Sequence, residues 1–246
     1  MDSDLIVFAV VGFVAQLVDG ALGMAYGVIS TTVLLTFGVP PVVASACVHA
    51  AEVVTTGLSG LSHALFRNID RDLFRQIVIP GMIGGVLGAY ILTELPGDRI
   101  KPVIAAYLLV MGLVILRRAF RRARAAGPPR WLVPLGLTGG FLDAIGGGGW
   151  GPVVASTLVA GGTPPRFAVG SVNSAEFFVT LSVTATFIAT VGLSNWKVIV
   201  ALLLGGALAA PLSAYFARRM PARLLMIVVA AAIIILSVHT LVIALA

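Results

Sequence analysis

Two hydrophobic units, each carrying carboxylates and broken by glycine, lie 124 residues apart in this chain, and that repetition constrains the fold more than any other feature. Asp19, Gly23 and Gly27 return as Asp143, Gly147 and Gly151, and Pro40-Pro41 returns as Pro164-Pro165. Ala44, Val48, Ala51, Glu52 and Thr56 return as Ala168, Val172, Ala175, Glu176 and Thr180. After a one-residue slip, Tyr90 and Pro96 correspond to Tyr215 and Pro221. Repeated Leu or Ala would carry little information in a chain that is 59% apolar. Repeated carboxylates do carry it, because each is costly to place in apolar surroundings. Duplicated, glycine-interrupted hydrophobic segments are the pattern of a membrane transporter built from repeats.

Only 11% of the residues are charged and the mean hydropathy is +1.07, where soluble domains carry about 25% charge. Most of this chain is therefore expected to face lipid, and the bilayer is its first partner. The net charge of +6 does not imply nucleic acid, because the basic residues fall mainly in short loops, where they report orientation. Cys47 is the sole cysteine, which excludes an internal disulfide and a cysteine-clustered zinc site. The acidic start Met-Asp-Ser-Asp is unlike a secretory signal, so the first hydrophobic segment is expected to be retained.

The predicted fold class is an all-α polytopic membrane protein. Six stretches are long enough to cross a ~30 Å hydrocarbon core, at roughly 42–65, 74–95, 100–119, 166–190, 197–217 and 222–245. Two others, 5–37 and 132–161, would be about 45–50 Å long as single helices. Split at Asp19-Gly20 and at Gly146–Gly149, they give pieces of ~14 residues, about 20 Å each and too short to cross. Both are read as re-entrant hairpins, whose irregular tips are tolerated at depth only where protein or a polar cavity surrounds them. The organisation is then a first membrane repeat over 1–119, a basic cytoplasmic linker over 120–131 and a second repeat over 132–246. Three crossings per repeat invert the second half relative to the first. Of the 16 basic residues, all but Arg99, Lys101 and Lys197 then lie on the cytoplasmic side, including Arg67, Arg71, Arg75, Arg117–Arg130, Arg166, Arg218, Arg219 and Arg223. Four crossings per repeat would distribute them less unevenly, so inversion fits the positive-inside rule better. It places the chain in the cell membrane (inner or plasma) with its N-terminus outside.

Glu52 and Glu176 fall near the middle of their helices, where an ionised carboxylate costs at least ~2.5 kcal/mol. Each must face a cavity or a partner, or hold a proton; as a pair they are candidates for proton coupling. A pair that only pins helices together is the plainer reading. His49 precedes Glu52 by one turn, as Asn173 precedes Glu176, so each pair shares a helix face. His49 can exchange protons near neutral pH, whereas Asn173 only donates and accepts hydrogen bonds. Ser171 adds a donor near the same helix. Asp19 and Asp143 at the hairpin tips read most simply as caps of the following half-helices. The run Gly147, Gly148, Gly149, Trp150 and Gly151 offers backbone amides at the positive end of a half-helix, an anion site without a buried cation. Gly23 and Tyr26 hold equivalent places in the first copy, and Tyr26 and Trp150 either wall that site or simply pack.

At these residues the chain resembles the TauE/SafE (sulfite exporter-type) family of permeases. The resemblance covers nearly the whole length. It rests on Asp19-Gly20-Ala21-Leu22-Gly23 leading to Gly38-Val39-Pro40-Pro41, and on Asp143 to Gly151 leading to Gly162-Thr163-Pro164-Pro165. Val169-Gly170-Ser171-Val172-Asn173 is similar to the family's second copy, while Met24-Ala25 and His49 depart from the regular pattern in the first. The resemblance implies transport of sulfite, sulfonates such as sulfoacetate, or related small organic anions.

The expectation is secondary active transport of such an anion, coupled to protons, with no cofactor, no resident metal and no enzymatic step. A homodimer stays open. A phosphatase of the lipid-pyrophosphate type would need arginines and a nucleophile at membrane depth, which the sequence does not offer. A nickel or cobalt carrier would group histidines, but His49, His63 and His239 are dispersed. An anion channel could share the same hairpins.

Overall fold

A computed structural model describes residues 2–120, 131–193, 195–219 and 222–245. The basic linker expected over 120–131 lies largely outside the described residues, as do Pro221 and the side chains of Tyr215, Arg218 and Arg219.

Every regular element among the described residues is helical: α1 (Asp2–Leu22), α2 (Tyr26–Thr36), α3 (Pro41–Leu65), α4 (Arg71–Glu94), α5 (Gly97–Phe120), α6 (Leu132–Gly146), a π-helical stretch (Trp150–Ala155), α7 (Ser156–Ala160), α8 (Pro165–Thr190), α9 (Trp196–Arg219) and α10 (Ala222–Leu245). Five of them, α3, α4, α5, α8 and α10, are long and apolar enough to cross a membrane. The expected crossing over 197–217 lies in α9, whose described apolar part is Trp196–Ala210. Outward faces carry large exposed apolar side chains such as Leu87, Val110, Leu208, Ile235 and Val242, as lipid contact requires.

Local chemistry accounts for the helix starts. Pro41 and Pro165 open α3 and α8, where the missing N–H costs nothing and φ is already helical. Asp70 caps α4, accepting from the amides of Asp72 at 3.0 Å and Leu73 at 3.1 Å. Asp70→Ala removes only this cap, because the contacts of Asp70 with Ser171 run through its backbone. It should destabilise the protein by about 1 kcal/mol, read as a small fall in the thermal midpoint in detergent; no change would mean that water caps α4 equally well.

Both long hydrophobic stretches break as expected, but the first does so four residues later. Helix α1 runs through Asp19-Gly20, since one glycine within a helix costs only ~1 kcal/mol. The chain turns instead at Gly23–Ala25, where Gly23 (φ 67) and Ala25 (φ 101) are left-handed. With 21 residues α1 is ~31 Å long, so the first hairpin is one long and one short arm rather than two equal halves. The second hairpin breaks at Gly147–Gly149, within the predicted run, with Gly147 left-handed at φ 65.

The halves interlock by exchanging partners. Helix α1 packs on α9 and, in the equivalent positions, α6 packs on α4. Gly12 lies against Leu202 just as Gly136 lies against Ile77. Repeat-equivalent helices also meet directly, α3 on α8 and α5 on α10. Ser59 contacts Asn173, Gly57 faces Phe177 and Thr56 approaches Thr180, so α3 and α8 run antiparallel.

Candidate functional site

The two hairpin breaks meet inside the bundle. Gly27 and Val28 lie against Gly148, Met24 lies against Gly151, and Thr31 donates to the Gly147 carbonyl at 2.7 Å. A Cβ on Gly148 would strike the backbone of Gly27 and Val28, so the glycines serve close approach of two main chains. In this arrangement the tips are packed shut against one another.

Asp143 organises the second tip. Its Oδ1 accepts from the amides of Gly149 at 2.6 Å and Trp150 at 3.0 Å, and its backbone carbonyl accepts from Gly148 at 3.1 Å. The capping role is therefore present, and the Gly149 and Trp150 amides, expected to be open to a ligand, are taken up by a carboxylate of the chain itself. Asp19 stands in the same relation to the first tip. Its Oδ1 accepts from the Tyr26 amide, seven residues on as in the second copy, at a looser 3.5 Å.

His49 joins the halves. Its Nε2 lies 3.3 Å from Asp143 Oδ2, and its Nδ1 is 2.8 Å from the Ser45 carbonyl. Ser45 in turn donates to the Ala144 carbonyl at 2.6 Å. His49 and Asp143 are 0% and 2% exposed. The shared face of His49 and Glu52 on α3 is thus not a shared hydrogen bond, because the imidazole turns across to the other half.

Glu52, 4% exposed, has an Oε2 without a hydrogen-bond partner, while the Gly27 amide is turned toward its carboxyl. It lies within electrostatic reach of Asp19, Asp143 and Glu176. Glu176, half-buried, is within reach of Asp19 and Asp143. Four carboxyls and one histidine therefore surround the meeting point of the tips. Among the described residues no Lys or Arg is paired with any of the four.

The remaining predicted residues go to several places. Trp150 is fully buried between Gly81 and Gly139 and donates its indole N–H to the Val172 carbonyl at 3.1 Å, so it packs. Tyr26 donates its hydroxyl to the Leu202 carbonyl at 3.2 Å. Asn173 Nδ2 donates to Ser59 Oγ at 2.9 Å, and its Oδ1 is unpartnered. Ser171 is turned to the loop before α4, where its hydroxyl accepts from the Asp70 amide at 2.9 Å, rather than to the tips. Gly23 shapes the first break and Gly151 makes room for Met24.

Sequence reasoning missed Tyr107, whose hydroxyl donates to the Gly148 carbonyl at 3.1 Å, together with Thr31 and Ser45. A tyrosine halfway along an apolar helix was a signal for the first; nothing in the spacing marked the other two.

The family model described as "Sulfite exporter TauE/SafE" matches residues 8–240. A "Probable membrane transporter protein YtnM" from Bacillus subtilis (strain 168) is 45% identical over 248 residues, covering 97% of this chain and 83% of the relative. No solved structure matches the chain. Bundle, paired breaks and match along nearly the whole length agree: the chain belongs to the sulfite exporter TauE/SafE family and is a multi-pass membrane transporter of that type.

Proposed function

We propose that this transporter is a secondary permease of the cell membrane that moves a small oxyanion, such as sulfite, sulfoacetate or a related sulfur-containing or carboxylic anion, together with protons. The observation that carries the reading is Asp143 seated on the amides of Gly149 and Trp150. A half-helix N-terminus is an anion seat, and here the occupant is a carboxylate built into the chain. A protonated carboxyl is a much weaker partner for two amides than a carboxylate. A proton delivered to Asp143 by way of His49 would release those amides to the oxygen of an incoming anion. Anion and proton would then be bound together, which lowers the charge carried through the apolar core. Glu52 and Glu176 hold further protons beside the seat, and Glu52 Oε2, with no partner, gains most from one. The packed tips correspond to a closed state. Opening toward either face follows from rocking of two inverted repeats, 1–119 and 132–246, about this centre, with the N-terminus outside.

Four carboxyls without a paired cation would also suit a cation, and the test is chosen to separate the two. Purified protein in liposomes is offered sulfite, sulfoacetate, thiosulfate and nickel under imposed pH gradients. Anion accumulation driven by a proton gradient is the expected result; nickel uptake without anion uptake would overturn the proposal. Glu52→Gln should lower gradient-driven accumulation by about tenfold, equivalent to ~1.4 kcal/mol of lost coupling, while anion–anion exchange persists. Unchanged gradient-driven flux in both Glu52→Gln and Glu176→Gln would remove these residues from the proton path.

A further inference from the structure

Arg118 departs from the basic cluster in which it sits. Its neighbour Arg117 is exposed, but the Arg118 side chain is half-buried and reaches back along α5 to the hairpins. One terminal nitrogen, Nη1, donates to Ser156 Oγ at 2.9 Å and lies 3.1 Å from Met24 Sδ. Met24 belongs to the first break and packs on Gly151 of the second, and Ser156 starts the helix that follows the π-helical stretch. The guanidinium therefore touches both hairpins at one end of their junction. Among the described residues no carboxylate pairs with it, and no acceptor is set against Nη2 or Nε.

A guanidinium carries five donors in a fixed fork, matched to two coplanar oxygens of one group. Withdrawn from water beside a thioether and a single hydroxyl, it lacks the counter-anion that partly buried arginines ordinarily have. The repeat gives it no counterpart: the equivalent position in α10 falls at Val242 and Ile243, both apolar and exposed. The cation thus stands at one end of the hairpin junction, whose centre is otherwise acidic. That end is where an anion would gather before meeting the carboxyls.

The geometry points to Arg118, with Ser156, as a binding site for an oxyanion presenting two oxygens (sulfonate, sulfite or carboxylate), a station beside the tips for the anion they carry. It rests on the anion-transport reading above. The fork holds two substrate oxygens, the Ser156 hydroxyl donates to one of them, and release toward the tips follows when protons neutralise the central carboxyls.

The test is the concentration dependence of sulfite and sulfoacetate transport in liposomes, paired with stabilisation of the detergent-purified protein by the same anions at constant ionic strength. Arg118→Gln should raise the half-saturating concentration in both measurements by about tenfold or more, with maximal flux changed much less. Arg118→Lys should recover part of the loss, since it keeps the charge but not the fork. Ser156→Ala should raise half-saturation by roughly threefold, as for one hydrogen bond, and it guards against an Arg118→Gln protein that does not fold. Unchanged half-saturation in Ser156→Ala and in every Arg118 variant that folds would overturn the assignment while leaving anion transport standing. A wild-type protein that neither binds nor moves these anions, yet moves nickel, would overturn the assignment and the anion reading together.

Discussion

Asp143→Ala is expected to abolish transport and to destabilise the protein by roughly 3–6 kcal/mol, because it strips partners from three buried groups at once. The amides of Gly149 and Trp150 and the imidazole of His49 all meet this one carboxylate. Neither amide has room to find water, since Trp150 is fully buried and Gly149 is closed in by Tyr107. For a chain of this size that loss corresponds to a thermal midpoint lower by about 10 °C or more, measurable by fluorescence during heating in detergent. Asp143→Asn should fall less far. Its amide oxygen still accepts from the two backbone amides, and only the exchangeable proton and the charge are lost. A stable Asp143→Asn with no proton-driven flux is the expected pairing. An Asp143→Ala protein that melts within a couple of degrees of wild type would show that the carboxylate does not hold the tip.

Gly84→Val should be as damaging for a different reason. A Cβ on Gly84 runs into the Leu137 carbonyl oxygen, and one on Gly140 runs into that of Gly81, so α4 and α6 touch backbone to backbone. Small residues at such crossings are what allow helices to associate in lipid. Neither neighbour is a flexible side-chain end, so the helices must separate. Since α6 leads directly into Gly147–Gly149, the separation would also move the tip. Loss of most folded protein, judged by monodispersity on size exclusion, is the expected outcome. Gly97→Ala serves as the control: its nearest neighbour is Pro41 Cδ at 4.0 Å, and the change should stay within about 0.5 kcal/mol of wild type. Equal yields of the two variants would refute the close-crossing account.

The sequence made the large divisions of the fold readable because they rest on local chemistry. Paired prolines start α3 and α8 and four glycines end α6, and length separates the crossing helices from the arms of the second hairpin but not from α1, whose 21 residues are long enough to cross. The first break was misplaced because Asp19-Gly20 looks like a turn, yet a single glycine does not stop a helix whose backbone ladder continues past it. A carboxylate near each break was readable from residue type and position; Asp143 accepts from two tip amides, whereas Asp19 comes no closer than 3.5 Å to one. The partnership of His49 with Asp143 was not readable, because it spans 94 residues and depends on how the halves interlock. Spacing along α3 linked His49 to Glu52; packing across the interface assigned it elsewhere. Arg118 was hidden by its own neighbours, as a run of arginines at a helix end reads as an interfacial anchor until the direction of each side chain is known.

Thr56 and Thr180 are copies of one residue, and their hydroxyls lie 3.4 Å apart. A residue can touch its own duplicate only beside a two-fold axis, so the contact is self-complementary in the manner of a symmetric dimer. The two copies can be regarded as the protomers of such a dimer carried on one polypeptide. Residues 1–120 and 131–246, produced as separate polypeptides in the same cell, should then find each other and restore a working carrier.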